Sequence, residues 1–124
     1  MRKYRVVHRN RRSFPIARLE YDEHRETFYL SIEKSAQMDE LPGLLGQFAL
    51  KGMYQPGGEW STKWVLERLI PEDRQGIGHM LKSMNMTHYD PCAIMEASQG
   101  KCDGDDLLIL PEKPEKSRKK QPAN

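Results

Sequence analysis

Two short segments in which every second residue is apolar restrict the fold more than any other feature of this chain. They span residues 17–21 and 27–33 and flank a charged loop at 22–26. The alternating apolar residues are Ala17, Leu19, Tyr21, Phe28, Leu30 and Ile32. Because successive side chains of a strand point to opposite faces, this pattern predicts an antiparallel hairpin with one buried face.

After the hairpin the apolar residues follow helical spacing, and several residues are typical of helix starts. The predicted helices run from Asp39 to about Gly52, from Ser61 to about Ile70, from Pro71 with an apolar stripe ending at Met84, and from Asp90 to about Gly100. Asp and Ser are good N-cap residues because their side-chain oxygens accept hydrogen bonds from the first free N–H groups. Proline is tolerated in the first turn, where its missing N–H costs little.

A short, wholly apolar run at 107–110 predicts a buried strand that returns to the hairpin. The predicted fold class is therefore α+β. A small antiparallel sheet, built from the hairpin at 17–33 and the strand at 107–110, is packed by three to four helices. The sequence supports two interpretations of residues 4–8, a short strand or part of a flexible arm.

Charge divides the chain into a body and two ends. Residues 1–12 carry six Lys or Arg and no acid, residues 111–124 carry five against two acids, and residues 13–110 have a net charge of −7. We therefore predict a basic arm or edge strand at 1–12, a single α+β domain at 13–110 and a disordered basic tail at 111–124. A body of this sign repels polyanions, whereas the ends attract them.

The composition predicts a cytoplasmic protein that does not bind membranes. No apolar run approaches the roughly 20 residues that a membrane span needs. No apolar segment follows the basic N-terminus, as one would in a signal peptide. Cys92 and Cys102 are therefore expected to be reduced thiols, and a disulfide between them remains the alternative.

Recognisable motifs for catalysis and metal binding are missing from the sequence. His79, His88, Cys92 and Cys102 lack the closely spaced ligand pairs of structural zinc sites. We therefore predict no catalytic residue, no metal site, no cofactor and a non-enzymatic protein. An enzyme centred on His88, Asp90 and Cys92, which have the residue types for nucleophilic catalysis, is kept as a third hypothesis.

Apolar residues of the predicted helices are the candidates for a protein-binding surface. They are Trp60, Trp64, Met84 and Met86. Methionine adapts to varied partners, and an exposed apolar patch rimmed by acids is typical of a binding face. The leading hypothesis is a small regulatory, adaptor or inhibitor protein whose acidic body binds the basic surface of a protein partner. The oligomeric state stays open.

The basic ends support an alternative function, a nucleic-acid-associated regulator. The candidate phosphate-binding residues are Arg2, Lys3, Arg5, Arg9, Arg11, Arg12, Lys119 and Lys120. Contacts of this kind bind without reading sequence and weaken steeply as the salt concentration rises.

Three stretches carry a resemblance to known proteins: residues 64–75 (WVLERLIPEDRQ), 88–90 (HYD) and 100–106 (GKCDGDD). This pattern resembles small proteins of unknown function from Firmicutes and their mobile elements. The resemblance covers about residues 60–110. It implies a bacterial protein of the accessory genome, and it implies no activity and no functional residue.

Overall fold

The computed structural model describes residues 1–112, which form one antiparallel sheet and four α-helices. The strands are β1 (Arg2–His8), β2 (Ala17–Asp22), β3 (Thr27–Ile32) and β4 (Leu107–Pro111). The helices are α1 (Leu44–Leu50), α2 (Gly58–Leu66), α3 (Ile77–Ser83) and α4 (Pro91–Ser98), with a 3-10 turn at Met38–Glu40. The strand order is β3-β2-β1-β4. The predicted α+β class, the hairpin and the C-terminal strand are confirmed.

β1 lies inside the sheet, paired with β2 on one side and β4 on the other. Tyr4, Val6 and Val7 are buried. Of the two alternatives for residues 4–8, the short strand is therefore correct, whereas an arm or an edge position for residues 1–12 is wrong. A domain cut at residue 13 would lose a central strand. The cations Arg2, Lys3 and Arg5 on β1 gave this segment the composition of a charged arm. The disordered tail was predicted to begin at residue 111, but Pro111 belongs to β4. Residues 113–124 of the predicted tail lie outside the described part of the chain.

Most helix starts differ from those predicted, and the reason is backbone geometry. Pro42 and Gly43, which has φ 58°, separate the 3-10 turn that contains Asp39 from α1. Ser61 lies inside α2 rather than at its start, and α3 begins after Gly76 instead of at Pro71. The fourth helix agrees with the prediction, because the Asp90 carboxylate accepts the N–H groups of Cys92 and Ala93.

Both edges of the sheet are covered by hydrogen bonds from the rest of the chain. On β3, the N–H groups of Phe28 and Leu30 donate to the hydroxyls of Thr62 and Ser61 at 3.0 and 2.8 Å. On β4, the Ile109 N–H donates to the Gln99 carbonyl at 2.7 Å. Covered edges reduce the tendency of a sheet to pair with another chain.

An ion pair between buried Arg68 and half-buried Asp105 joins the segment after α2 to the loop that leads into β4. Arg68 donates to both carboxylate oxygens of Asp105 at 2.7 and 2.8 Å, and its Nε donates to the Gly100 carbonyl at 2.8 Å. The guanidinium also lies 4.9 Å from the ring centre of Trp64. Burial opposes ionisation of Asp105, but these hydrogen bonds outweigh it and lower the pKa of the carboxyl.

Candidate binding groove

A groove opens at the end of the sheet where β1 begins and where β2 turns into β3. It consists of two cavities of about 470 and 530 Å³ that share Glu26, Leu66, Tyr89 and Pro91. Apolar and aromatic side chains line it, namely Tyr21, Phe28, Leu66, Pro71, Tyr89 and Pro91. Carboxylates also line it, namely Glu23, Glu26, Glu72 and Asp90. We call this site the acidic groove.

The β2–β3 turn places two of these carboxylates. The Asp22 carboxylate accepts the N–H groups of His24 and Arg25 at 3.0 and 3.3 Å, which closes the turn. Glu26 follows with φ 51°, a left-handed conformation that costs a residue with a Cβ about 1–2 kcal/mol. The turn therefore holds Glu23 and Glu26 beside the cavity, and Glu26 does so in a strained conformation.

The opposite wall of the acidic groove is held by Tyr89. Its hydroxyl donates to the Ile70 carbonyl at 2.6 Å, which ties the segment before α4 to the loop after α2. Burial and the nearby negative charge of Glu72 raise the pKa of the Tyr89 hydroxyl. Tyr89 therefore stays neutral near pH 7 and offers an aromatic ring to the groove.

The acidic groove carries four carboxylates against one arginine, so its formal charge is negative. Burial raises the pKa of Tyr21, and nearby ionisable groups, Cys92 first and then the carboxylates Asp90, Glu26 and Glu23, raise it further. Arg2 also lines the groove, but it is paired with Glu23 at 2.7 Å and lies 3.6 Å from a carboxylate oxygen of Glu96.

Two carboxylates of the groove keep their charge uncompensated. Within residues 1–112, no Lys, Arg or His lies within ion-pair distance of Glu26 or Glu72. Their negative charge is therefore available to a ligand.

His88, Asp90 and Cys92, the residues of the enzyme hypothesis, do line one cavity. The Cys92 thiol, however, is buried and lies 3.2 Å from the Tyr4 hydroxyl, which also donates to Glu96. Burial is the largest influence on the Cys92 thiol and raises its pKa, which disfavours the thiolate. Asp90 is used as a helix cap, and His88 makes no hydrogen bond to Cys92 in the described structure. The three residues therefore do not form an activated nucleophile.

The residues considered for metal binding are not brought together. In the described part of the chain, no three His, Cys, Asp or Glu side chains are grouped as metal ligands. Cys92 and Cys102 are both free thiols. No helix among residues 1–112 is long and apolar enough to cross a bilayer.

The predicted partner-binding residues differ in exposure. Trp64 is buried under Arg68, so its assignment to an exposed binding face is wrong. Trp60 is 44% exposed and packs edge-on against Phe48, at 6.0 Å between ring centres. Met84 and Met86 are half-buried. None of the four lines the acidic groove.

Sequence reasoning missed the shared lining of the two cavities, which is Glu26, Leu66, Tyr89 and Pro91. Leu66 is 41% exposed although it lies on α2. The one available signal was the charged loop at 22–26, which could have been taken as the rim of a site.

The predicted nucleic-acid-binding residues are divided by the fold. Arg2, Lys3 and Arg5 lie on β1, and Arg5 is half-buried with its Nε free of hydrogen-bond partners among the described residues. Arg9, Arg11 and Arg12 lie beyond β1, in the loop at the opposite end of the sheet from the groove. Lys119 and Lys120 lie outside the described residues. The basic N-terminal stretch is therefore not one binding element.

Comparisons of this chain with protein-family models, with curated proteins and with solved structures find no match.

Proposed function

We propose that this protein is a small non-enzymatic adaptor or regulatory protein that binds a basic, partly apolar segment of another protein in the acidic groove. The observation that carries the proposal is the combination of an aromatic and aliphatic lining with the unpaired carboxylates Glu26 and Glu72. A nucleic acid or another anionic ligand would be repelled from this site.

The apolar lining supplies the affinity. Leu66 is 41% exposed, so a ligand side chain that covers it stabilises the complex by about 1 kcal/mol through burial of apolar surface. Tyr89 adds an aromatic surface of the kind that dominates the energetics of protein interfaces. Charge on the rim chiefly raises the association rate and selects Lys- or Arg-containing partners.

The compartment and origin are part of the same proposal. The free thiols Cys92 and Cys102 favour a reducing environment, which supports a cytoplasmic location. The resemblance to proteins of Firmicutes and their mobile elements supports a bacterial origin.

Selection from a display library of random short peptides, with the full chain as the target, tests the proposed site. Enriched peptides are expected to combine Lys or Arg with aromatic or aliphatic residues. The double variant Leu66→Ser with Glu26→Gln is expected to weaken a selected peptide about tenfold or more, measured by fluorescence anisotropy, because it removes lining area and rim charge together.

The matched control carries the same substitutions outside the groove. Leu50 is 75% exposed on α1, and Glu59 is exposed on α2. The variant Leu50→Ser with Glu59→Gln is expected to keep the affinity within about twofold. Equal losses in both variants, or selection of acidic peptides, would contradict the proposed site.

A further inference from the structure

The loop between β1 and β2, which we call the basic loop (residues 9–15), carries a second exposed surface. Its sequence, RNRRSFP, contains three arginines, one phenylalanine and no acid. Phe14 is 64% exposed. An exposed aromatic ring among cations is a costly arrangement for a purely structural loop, because the ring stays in water.

The basic loop has a defined conformation. The Arg11 N–H donates to the His8 carbonyl at 2.9 Å, and the Phe14 N–H donates to the Arg11 carbonyl at 3.2 Å. Arg12 Nε donates to the Arg9 carbonyl at 3.3 Å, and the His8 ring is hydrogen-bonded to the Glu40 carbonyl at 2.8 Å. The cations are therefore presented on an ordered turn, which lowers the entropic cost of binding.

The uncompensated positive charge is on two residues of the basic loop. Arg11 is paired with Glu40 at 2.7 Å, and its guanidinium lies 5.6 Å from the centre of the Phe14 ring. Arg9 and Arg12 are exposed and make no ion pair with a described carboxylate. Both guanidiniums are available to an anionic ligand.

We propose that the basic loop binds single-stranded nucleic acid, with Phe14 stacking on a base while Arg9 and Arg12 contact phosphates. An aromatic ring accepts any base by stacking, and guanidinium groups match phosphate geometry. A single strand is the class that fits, because the bases of a duplex are stacked on each other and cannot cover the ring.

A cavity of about 320 Å³ next to Phe14 provides room for the stacked nucleotide. Arg11, Arg18 and Ser35 are among its lining residues, and so are Glu33 and Glu40. The two acids are already paired with Arg18 and Arg11 respectively. The cavity is therefore close to neutral, and attraction of the phosphates falls to Arg9 and Arg12.

Fluorescence anisotropy of the full chain with a labelled oligothymidine tests the proposal. The variant Phe14→Ala keeps every charge and is expected to weaken binding about tenfold, because it removes one stacking contact. The variant Arg9→Ser with Arg12→Ser is expected to weaken binding and also to lower the salt dependence by about 0.7 per lost phosphate contact.

A variant outside the loop serves as the matched control. Lys51→Ser with Lys101→Ser, at two exposed lysines far from residues 9–15 in the sequence, removes the same formal charge as the arginine variant and is expected to change the affinity less. The proposal is overturned if Phe14→Ala binds like the unsubstituted chain, or if the lysine variant loses as much as the arginine variant. It is also overturned if the matched duplex binds as tightly as the single strand, or if only vesicles of anionic lipid are bound.

Discussion

The two ends of the sheet carry surfaces of opposite charge, the acidic groove and the basic loop, although the same strand connects them. β1 begins at Arg2 beside the acidic groove and ends at His8, where the basic loop starts. At the first end, Arg2 is offset by Glu23 and Glu96. At the other end, Arg9 and Arg12 have no such partners among the described residues. Cations of the same basic stretch, residues 1–12, therefore differ in the acids that the fold brings to them.

Distance keeps the two ends electrostatically independent. β1 has seven residues, so the ends lie about 20 Å apart at the rise of a β-strand. This separation exceeds the Debye length of about 8 Å at physiological ionic strength. A ligand at one end should therefore have little effect on the charge that a ligand meets at the other end.

Destabilisation of the whole fold is expected to have the largest effect, because the acidic groove and the basic loop are both lost when the domain unfolds. Arg68→Ala leaves the half-buried Asp105 carboxylate without its partner, and we expect it to lower the free energy of unfolding by about 3 kcal/mol. Urea unfolding followed by tryptophan fluorescence measures this loss. Arg25→Ala, at a residue that is 75% exposed, is the control and should change stability by less than about 0.5 kcal/mol. Similar values for the two variants would contradict the role assigned to Arg68.

Acid should lower the stability of the fold through the same Arg68–Asp105 ion pair. The pKa of Asp105 is lower in the folded than in the unfolded protein, so its ionisation stabilises the fold above the unfolded pKa. This contribution is lost as the pH falls through the folded pKa. The urea concentration at the unfolding midpoint, measured from pH 6 downward, should therefore decrease once the pH is below about 4. The decrease should be smaller in Asp105→Asn. An equal decline in that variant would assign the acid sensitivity to other groups.

Two arginine substitutions should each change ligand binding at one end of the sheet and leave binding at the other end unchanged. Arg2→Gln removes the cation that offsets Glu23, so a basic peptide should bind a few-fold more tightly while oligothymidine binding stays unchanged. Arg9→Gln removes the same charge and should weaken oligothymidine binding a few-fold with no effect on the peptide. Anisotropy titrations of both ligands against both variants measure the four affinities. If each variant changed the affinities of both ligands, then the net charge of the protein, rather than the position of the arginine, would control binding.

The smallest effect is expected at the strained residue of the acidic groove. Glycine adopts the φ of 51° seen at Glu26 without steric cost, so Glu26→Gly should raise stability by about 0.5 kcal/mol or leave it unchanged. The same change removes a rim carboxylate and should weaken peptide binding. Thermal unfolding and anisotropy measure the two effects on one sample. A clear loss of stability would mean that the Glu26 side chain supports the turn.

The sequence was sufficient for the strands whose alternation is uninterrupted. Phe28, Leu30 and Ile32 alternate cleanly with polar residues, and all three are buried as predicted. In β1, the flanking cations gave the segment the composition of an arm, and its position in the sheet depends on pairing with β4, about a hundred residues away. Pairing at that separation leaves no local signal.

The candidate sites could be predicted only where their residues are contiguous. The basic loop is one run of sequence, and its arginines were identified from composition alone. The acidic groove combines the β2–β3 turn with Leu66, Glu72 and Tyr89, which come together only through the packing of α2 and α4 against the sheet. Trp64 was misassigned because helical spacing does not show that Arg68 and the core cover its ring.

Simultaneous binding at the two ends tests the central claim most directly. A labelled basic peptide selected against the acidic groove is titrated with the full chain, alone and with saturating unlabelled oligothymidine. We expect the peptide affinity to agree within about twofold in the two titrations, because the sites are separate and screened from each other. Displacement of the peptide by the oligonucleotide would contradict the account, since it would show that both ligands use one surface.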